Sequence, residues 1–126
     1  MRTLKILVVD DDLSMRRILE IILETFGYDV FTASNGPEAL EIYEGSLEIE
    51  MNIDLLITDR QMPGMLGEEL IRRIKMLNSN IKAIFMSADD DALVIRVGKA
   101  AGADAILHKP FNPTSLVGII EKLFPS

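Results

Sequence analysis

The chain has 126 residues, 48% of them hydrophobic, which suits one compact domain with a sizeable core, and it has no cysteine, which excludes a disulfide framework or a thiolate metal site. A net charge of −7 disfavours direct nucleic-acid binding through the phosphate backbone. Met1-Arg2-Thr3-Leu4-Lys5 leads into an apolar run broken by Asp10, neither a signal peptide nor a membrane span, so a cytoplasmic address without membrane contact is expected.

Lys5–Val9 is a continuous apolar run, too short for a helix and too uniform for a one-sided strand, which predicts a buried parallel strand. Asp10-Asp11-Asp12 stops it. Met15, Ile18, Leu19, Ile22, Leu23 and Phe26 then recur at steps of three and four, an amphipathic helix that Gly27 is placed to end in the left-handed conformation. Tyr28–Ala33 alternates loosely as a second strand. Asn35-Gly36-Pro37 opens a second helix with Ala39, Leu40 and Tyr43 on its apolar side. Gly45–Asn52 is expected to be a polar, acidic connection into a third strand, Ile53–Thr58. That strand runs into Asp59, and Pro63 and Gly64 forbid its continuation.

Leu66, Leu70, Ile71, Ile74 and Leu77 mark a third helix, broken by Asn78-Ser79-Asn80. Ile81–Met86 is a fourth strand ending in Ser87. Asp89-Asp90-Asp91 supply carboxylates where a helix N-terminus favours them, ahead of Leu93, Val94, Val97 and Ala101, and Gly102 closes that helix. Ala103–Leu107 is a short fifth strand ending at His108-Lys109-Pro110. His108 alternates with Lys109, so their side chains should diverge, and the lone histidine is read as structural. Asn112-Pro113 caps a fifth helix whose core face is Leu116, Ile119, Ile120, Leu123 and Phe124. Gly98 and Gly118 interrupt helical patterns at about 1 kcal/mol each against alanine, and are read as tolerated or packing glycines.

Strict alternation of apolar strands with helices predicts an α/β fold, a parallel sheet covered on both faces, with every strand's C-terminal end on one edge. Polar residues end four of the runs: Asp10 and Asp11, Asp59, Ser87 and Lys109. Ligands bind outside the carboxyl ends of such strands, so residues distant in sequence converge there. Singly, the acids read as turn and cap residues, Ser87 as a turn hydroxyl and Lys109 as a solvated charge; together they carry chemistry. Crowded carboxylates repel and raise one another's pKa, and a hard cation such as Mg²⁺ relieves the repulsion. A carboxylate can also attack a phosphoryl group, with Lys109 and the metal neutralising its oxygens and Ser87 donating a hydrogen bond.

With these residues in place, the sequence resembles a response-regulator receiver domain of two-component signalling, similar to single-domain chemotaxis regulators. The resemblance spans residues 1–126 and rests on Val8-Val9-Asp10-Asp11, Asp59-x-x-Met62-Pro63-Gly64, Ser87-Ala88, Ala101-Gly102-Ala103 and Lys109-Pro110-Phe111. It implies a doubly wound, flavodoxin-like sheet of order 2-1-3-4-5 with five helices over its two faces. It also implies a phosphoacceptor, Asp59, served by a histidine kinase or phosphotransfer protein. Asp11, Asp59 and the backbone carbonyl of Gln61 would ligate Mg²⁺, with Asp10 acting mainly through metal-bound water. Ser87 and Lys109 would contact the phosphoryl group, and the Lys109–Pro110 bond would be cis. Such a domain is a signalling switch for a downstream protein rather than an enzyme with an external product, and homodimerisation of its active form is left open.

Three features depart from that pattern. Ile106 stands at the strand-five switch position, usually Tyr or Phe, so no swinging aromatic can report phosphorylation. The connection Gly45–Asn52 is longer than in the shortest members. Gln61 and Asp89 occupy the variable positions that tune phosphoryl lifetime.

Two other functions compete. A haloacid-dehalogenase-like phosphohydrolase would use Asp10 as nucleophile and Asp12 as acid/base, but it needs an acidic pair after the lysine. Beyond Lys109 the only acid is Glu121, and Asp59-x-x-Met62-Pro63 would be left without a role. A phosphorylation-independent interaction domain would be favoured if Asp59, Asp11 or Lys109 were replaced, and none is. A flavin or dinucleotide binder would need glycine and backbone N–H groups at the first turn, where this chain has three carboxylates.

Overall fold

Apolar runs become strands and three-four periodic stretches become helices in the computed structural model, which describes residues 3–88 and 91–125. In chain order the elements are β1 (Lys5–Val9), α1 (Leu13–Thr25), β2 (Asp29–Ala33), α2 (Gly36–Glu48), β3 (Leu55–Asp59), α3 (Gly67–Leu77), β4 (Lys82–Ser87), α4 (Ala92–Ala101), β5 (Ala105–His108) and α5 (Pro113–Leu123). Asp89 and Asp90, expected among the helix-start acids, lie outside the described residues.

All strand pairings are parallel, and the sheet order is β2-β1-β3-β4-β5. The central strands are uniformly apolar because both of their faces are covered. Leu7, Val9, Leu56, Ala83 and Phe85 face α2, α3 and α4 through Ala39, Tyr43, Leu70, Ile71, Ile74 and Ala101. Ile6, Val8, Leu55, Ile57, Ile84 and Met86 face α1 and α5 through Leu19, Leu23, Leu116 and Ile120. The doubly wound architecture expected from the sequence is therefore present, and the polar residues that end β1, β3, β4 and β5 share one edge.

Caps follow the side-chain chemistry. Asp12, Asn35, Asp91 and Asn112 each accept a backbone N–H in the first turn of α1, α2, α4 and α5. Gly102 ends α4 at φ 111, where a side chain is strained. Of the two glycines inside helical patterns, Gly98 is a packing glycine, where a Cβ would lie 2.6 Å from the Phe85 ring, and Gly118 is a tolerated one, where a Cβ would meet nothing within 4 Å.

Several expectations are corrected. The stretch Gly45–Asn52 is not simply a connection, because α2 runs through Gly45 to Glu48. Ser46 is buried and its hydroxyl bonds back to the Tyr43 carbonyl, so the helix is kept by burial where the glycine suggested a break. It closes with Met51 N–H on the Ser46 carbonyl (2.8 Å) and Glu50 N–H on the Leu47 carbonyl (3.2 Å). That closure needs a left-handed residue, and Glu50 takes the role at φ 55. Ile18, Phe26, Leu66, Leu77 and Leu93, read into the apolar periodicity of their helices, are exposed. Ile18 lies off the buried stripe of α1, Phe26 follows its last turn, Leu66 precedes the first turn of α3, Leu77 ends its last, and Leu93 sits in the opening turn of α4. His108, read as structural, is exposed at the end of an edge strand.

Left-handed backbone costs an L-residue roughly 1–2 kcal/mol, of which the flexibility of glycine returns part, so Glu50→Gly is expected to raise urea-denaturation stability by about 0.5–1 kcal/mol. Gly98→Ala is expected to lower it by about 1–3 kcal/mol, because the Phe85 ring must move. An unchanged midpoint in either variant would contradict the corresponding contact.

Candidate functional site

The edge formed by the strands' C-terminal ends is built one strand at a time. β1 passes into Asp10, whose N–H still reaches the Ala33 carbonyl of β2 at 3.2 Å, so this carboxylate is carried into full burial by its own strand. The following turn then wraps it. Asp12 N–H donates to Asp10 Oδ1 (2.9 Å), and Arg16 Nη1, from the first turn of α1, donates to the Asp10 carbonyl (2.8 Å). Asp12 is spent as the α1 cap, accepting from Ser14 N–H at 2.9 Å.

β3 delivers Asp59. The next residue, Arg60, donates its N–H to the Met86 carbonyl (3.1 Å) and accepts from Gly67 N–H (2.9 Å), so the first turn of α3 rests on the Asp59–Arg60 backbone. Glycine is required at 67, since a Cβ there would collide with the Asp59 carbonyl oxygen. Gln61 lies in the intervening turn with its side chain exposed.

β5 delivers Lys109. Its N–H donates to the Ser87 carbonyl (2.9 Å), tying the ends of β4 and β5 together, and the Lys109–Pro110 bond is cis as expected. Lys109 Nζ lies 3.1 Å from Asp59 Oδ1 and 3.3 Å from Asp10 Oδ2. Ser87 is the buried last residue of β4, one step beyond the Met86 that pairs with Asp59. His108, the residue before Lys109, is exposed.

Asp10, Asp11 and Asp59 each offer a carboxylate oxygen, and these oxygens all lie within 4.8 Å of one another. Asp11 is exposed and the Asp59 side chain is 13% exposed, so the cluster opens outward from a buried base. Burial raises the Asp10 pKa and the Asp59 charge raises it further, against the Asp12 N–H and Lys109, which lower it. For Lys109, burial alone would lower the pKa, but the hydrogen bond and charge of Asp59, then those of Asp10, outweigh it and raise it. An all-oxygen set of carboxylates, one of them at the surface, fits a hard divalent cation such as Mg²⁺.

The structure thus brings Asp10, Asp11, Asp59 and Lys109 together and puts Ser87 and Gln61 on the same edge. Ile106 is half-buried and packs on the α2–α4 side of the sheet. Sequence reasoning missed Arg16, Gly67 and the pair Arg60–Glu68. Arg16 has the same side chain as its neighbour Arg17, and only burial separates them. Gly67 and Glu68 carried a signal, since both fall in phase with the core residues Leu70, Ile71 and Ile74.

Comparison with known proteins gives one answer. The family model for the response regulator receiver domain matches residues 6–121. Sporulation initiation phosphotransferase F of Bacillus subtilis is 34% identical over 121 residues, covering 96% of this chain and 94% of its own. Chemotaxis protein CheY4 of Vibrio cholerae superposes with a TM-score of 0.89 at 30% identity, covering 98% of this chain and 100% of its own. Response regulator TrrA of Thermotoga maritima, solved in complex with Mg(2+)-BeF, gives 0.83 at 34% identity, covering 97% of this chain and 100% of its own. The chain spans about half the length of several other curated relatives it matches. Among the described residues, no helix is long and apolar enough to cross a membrane.

A raised Asp10 pKa means that the fold disfavours its charged form. The penalty is therefore present at neutral pH and disappears as pH falls through the raised pKa. Asp10→Asn keeps an acceptor for Asp12 N–H and removes the charge. It is expected to stabilise the metal-free protein at neutral pH, by a margin that shrinks in acid; a loss of stability at neutral pH would mean that the Lys109 pairing outweighs burial. Lys109 has the opposite sign: its contribution is present below the ordinary lysine pKa and is lost as pH climbs through the raised one.

Proposed function

Because the chain belongs to the response regulator receiver domain family, we propose that it is a phosphoacceptor switch, with residues 1–126 as one cytoplasmic domain that takes a phosphoryl group from a histidine kinase or phosphotransfer protein onto Asp59. The observation that carries this reading is Lys109 Nζ set between Asp59 and Asp10 inside a cluster of three carboxylates. Asp59 is the carboxylate of that cluster that is neither fully buried nor fully solvated.

In the transfer, a carboxylate oxygen of Asp59 bonds to phosphorus as the bond from phosphorus to the donor's imidazole nitrogen breaks, and that bond's electron pair returns to the imidazole. Lys109, already on Asp59, supplies positive charge where the phosphoryl oxygens arrive. Ser87 donates its hydroxyl to one of them. Asp11, Asp59 and the Gln61 carbonyl would hold Mg²⁺, Asp10 mainly through an intervening water, and the ion would neutralise phosphoryl charge. Asp10 also keeps Lys109 aimed at Asp59.

The Lys109 N–H to Ser87 carbonyl bond links the two groups that sense the new phosphoryl oxygens, so rearrangement at the end of β4 is felt at the end of β5. Phosphorylation then shifts a pre-existing equilibrium at the surface of α4, β5 and α5, where a downstream protein binds. Ile106 leaves this coupling to backbone and packing rather than to an aromatic side chain.

The phosphohydrolase reading fares worse on geometry. Asp10 is fully buried with its two oxygens on Asp12 N–H and Lys109, and Asp12 is exposed and bound to the start of α1. Neither is placed as nucleophile or acid/base.

Intact mass after incubation with acetyl phosphate is expected to show one added phosphoryl group that requires Mg²⁺ and disappears in Asp59→Asn. An adduct that survives Asp59→Asn but is lost in Asp10→Asn would favour the hydrolase. No adduct under any condition would favour a phosphorylation-independent interaction module.

A further inference from the structure

The first turn of α3 holds an ion pair that does little for stability. Arg60 follows Asp59 directly, and its Nη2 lies 3.4 Å from Glu68 Oε2, with side chains 22% and 8% exposed. Among the described residues, Arg60 Nε and Glu68 Oε1 are buried without a hydrogen-bond partner. These two orphans are the atoms that would complete a side-on fork of Nε to Oε1 and Nη2 to Oε2. Two charges have left water for one long contact, with a donor and an acceptor still unsatisfied. Replacing such a pair with apolar residues of similar size is often neutral or stabilising. The same helix start also has Leu66 at its cap position, with no side-chain hydrogen bond to the first turn. The α3 entry is therefore built against local stability beside the cluster of carboxylates, where a compensating role is expected.

What the pair does join is informative. Arg60 and Gly67 are the two ends of the turn that carries Gln61, and they already share the Gly67 N–H to Arg60 carbonyl bond. The close approach at Gly67 stacks α3 on the Asp59 carbonyl. Side chains alternate along the end of β3, so while Asp59 reaches Lys109, Arg60 turns to α3. We propose that Arg60 and Glu68 are positioning residues for phosphoryl transfer. Their attraction draws the first turn of α3 onto the backbone that follows Asp59, fixing the 61–66 turn and the Gln61 carbonyl relative to the carboxylates. This rests on the reading of Asp59 as the phosphoacceptor and Gln61 as a metal ligand.

The test uses Arg60→Met with Glu68→Leu, Glu68→Gln alone, and the exchange Arg60→Glu with Glu68→Arg. The apolar double variant is expected to unfold at the same urea concentration as wild type or higher. Its Mg²⁺ dissociation constant by calorimetry, and the Mg²⁺ needed for half-maximal Asp59 phosphorylation, should both rise about tenfold, the usual effect of losing a group that orients a metal ligand. Glu68→Gln should move both in the same direction, which decides the matter even if the double variant folds poorly, and the exchange should recover part of the loss. Wild-type Mg²⁺ affinity and dependence in both Glu68→Gln and the apolar double would overturn the positioning role. A wild type that takes up no phosphoryl group would instead remove the Asp59 reading, and the proposal with it, before any variant is compared.

Discussion

Lys109 is the constraint around which this molecule is arranged. Its ammonium sits 3.1 Å from Asp59 and 3.3 Å from Asp10, in a cluster that also includes Asp11. Like charges this close repel one another unless a cation intervenes. The fold supplies one cation from the end of β5 and leaves the outer side of the cluster, at Asp11, open to solvent. The arrangement is electrostatically incomplete by itself, and that incompleteness is what suits it to take up a metal ion and a phosphoryl group.

The parallel sheet makes the crowding affordable. Asp10 cannot escape burial, because its N–H continues the hydrogen bonding of β1 to β2 and its turn is held by Asp12 and Arg16. Asp59 is fixed by β3 and by the weight of α3 on its carbonyl, where only glycine fits at 67. Lys109 reaches both because β5 lies two strands from β3 and its backbone is tied to Ser87. The backbone positions of Asp10, Asp59 and Lys109 are thus set by main-chain hydrogen bonds before any ligand arrives. The Arg60–Glu68 pair extends this logic to the one turn, 61–66, that the sheet does not hold.

How much of this was legible in the sequence depended on the physics of each part. The strands were readable because both faces of the sheet are covered, so Ile6–Val9 and Leu55–Ile57 are uniformly apolar. The convergence of Asp10, Asp59, Ser87 and Lys109 was readable because parallel strands share one edge. Strand order and the metal ligand set came from family resemblance, and spacing alone could not supply them. The extent of α2 was hidden because Gly45 reads as a break, while the burial of Ser46 and the left-handed Glu50 depend on tertiary structure. Glu68 carried a signal in its phase with the core residues of α3, but the partner that explains a buried acid, Arg60, depends on tertiary structure.

The most direct test of the central claim is the urea midpoint of the unphosphorylated protein as a function of Mg²⁺, at constant ionic strength, for wild type and Asp11→Asn. If the carboxylate cluster is a cation site, Mg²⁺ raises the wild-type midpoint along a saturating curve, since a ligand that binds only the folded state stabilises it by mass action. The rise is strongly weakened in Asp11→Asn. A wild-type midpoint that does not move with Mg²⁺, or one that moves equally in both proteins, would contradict the account.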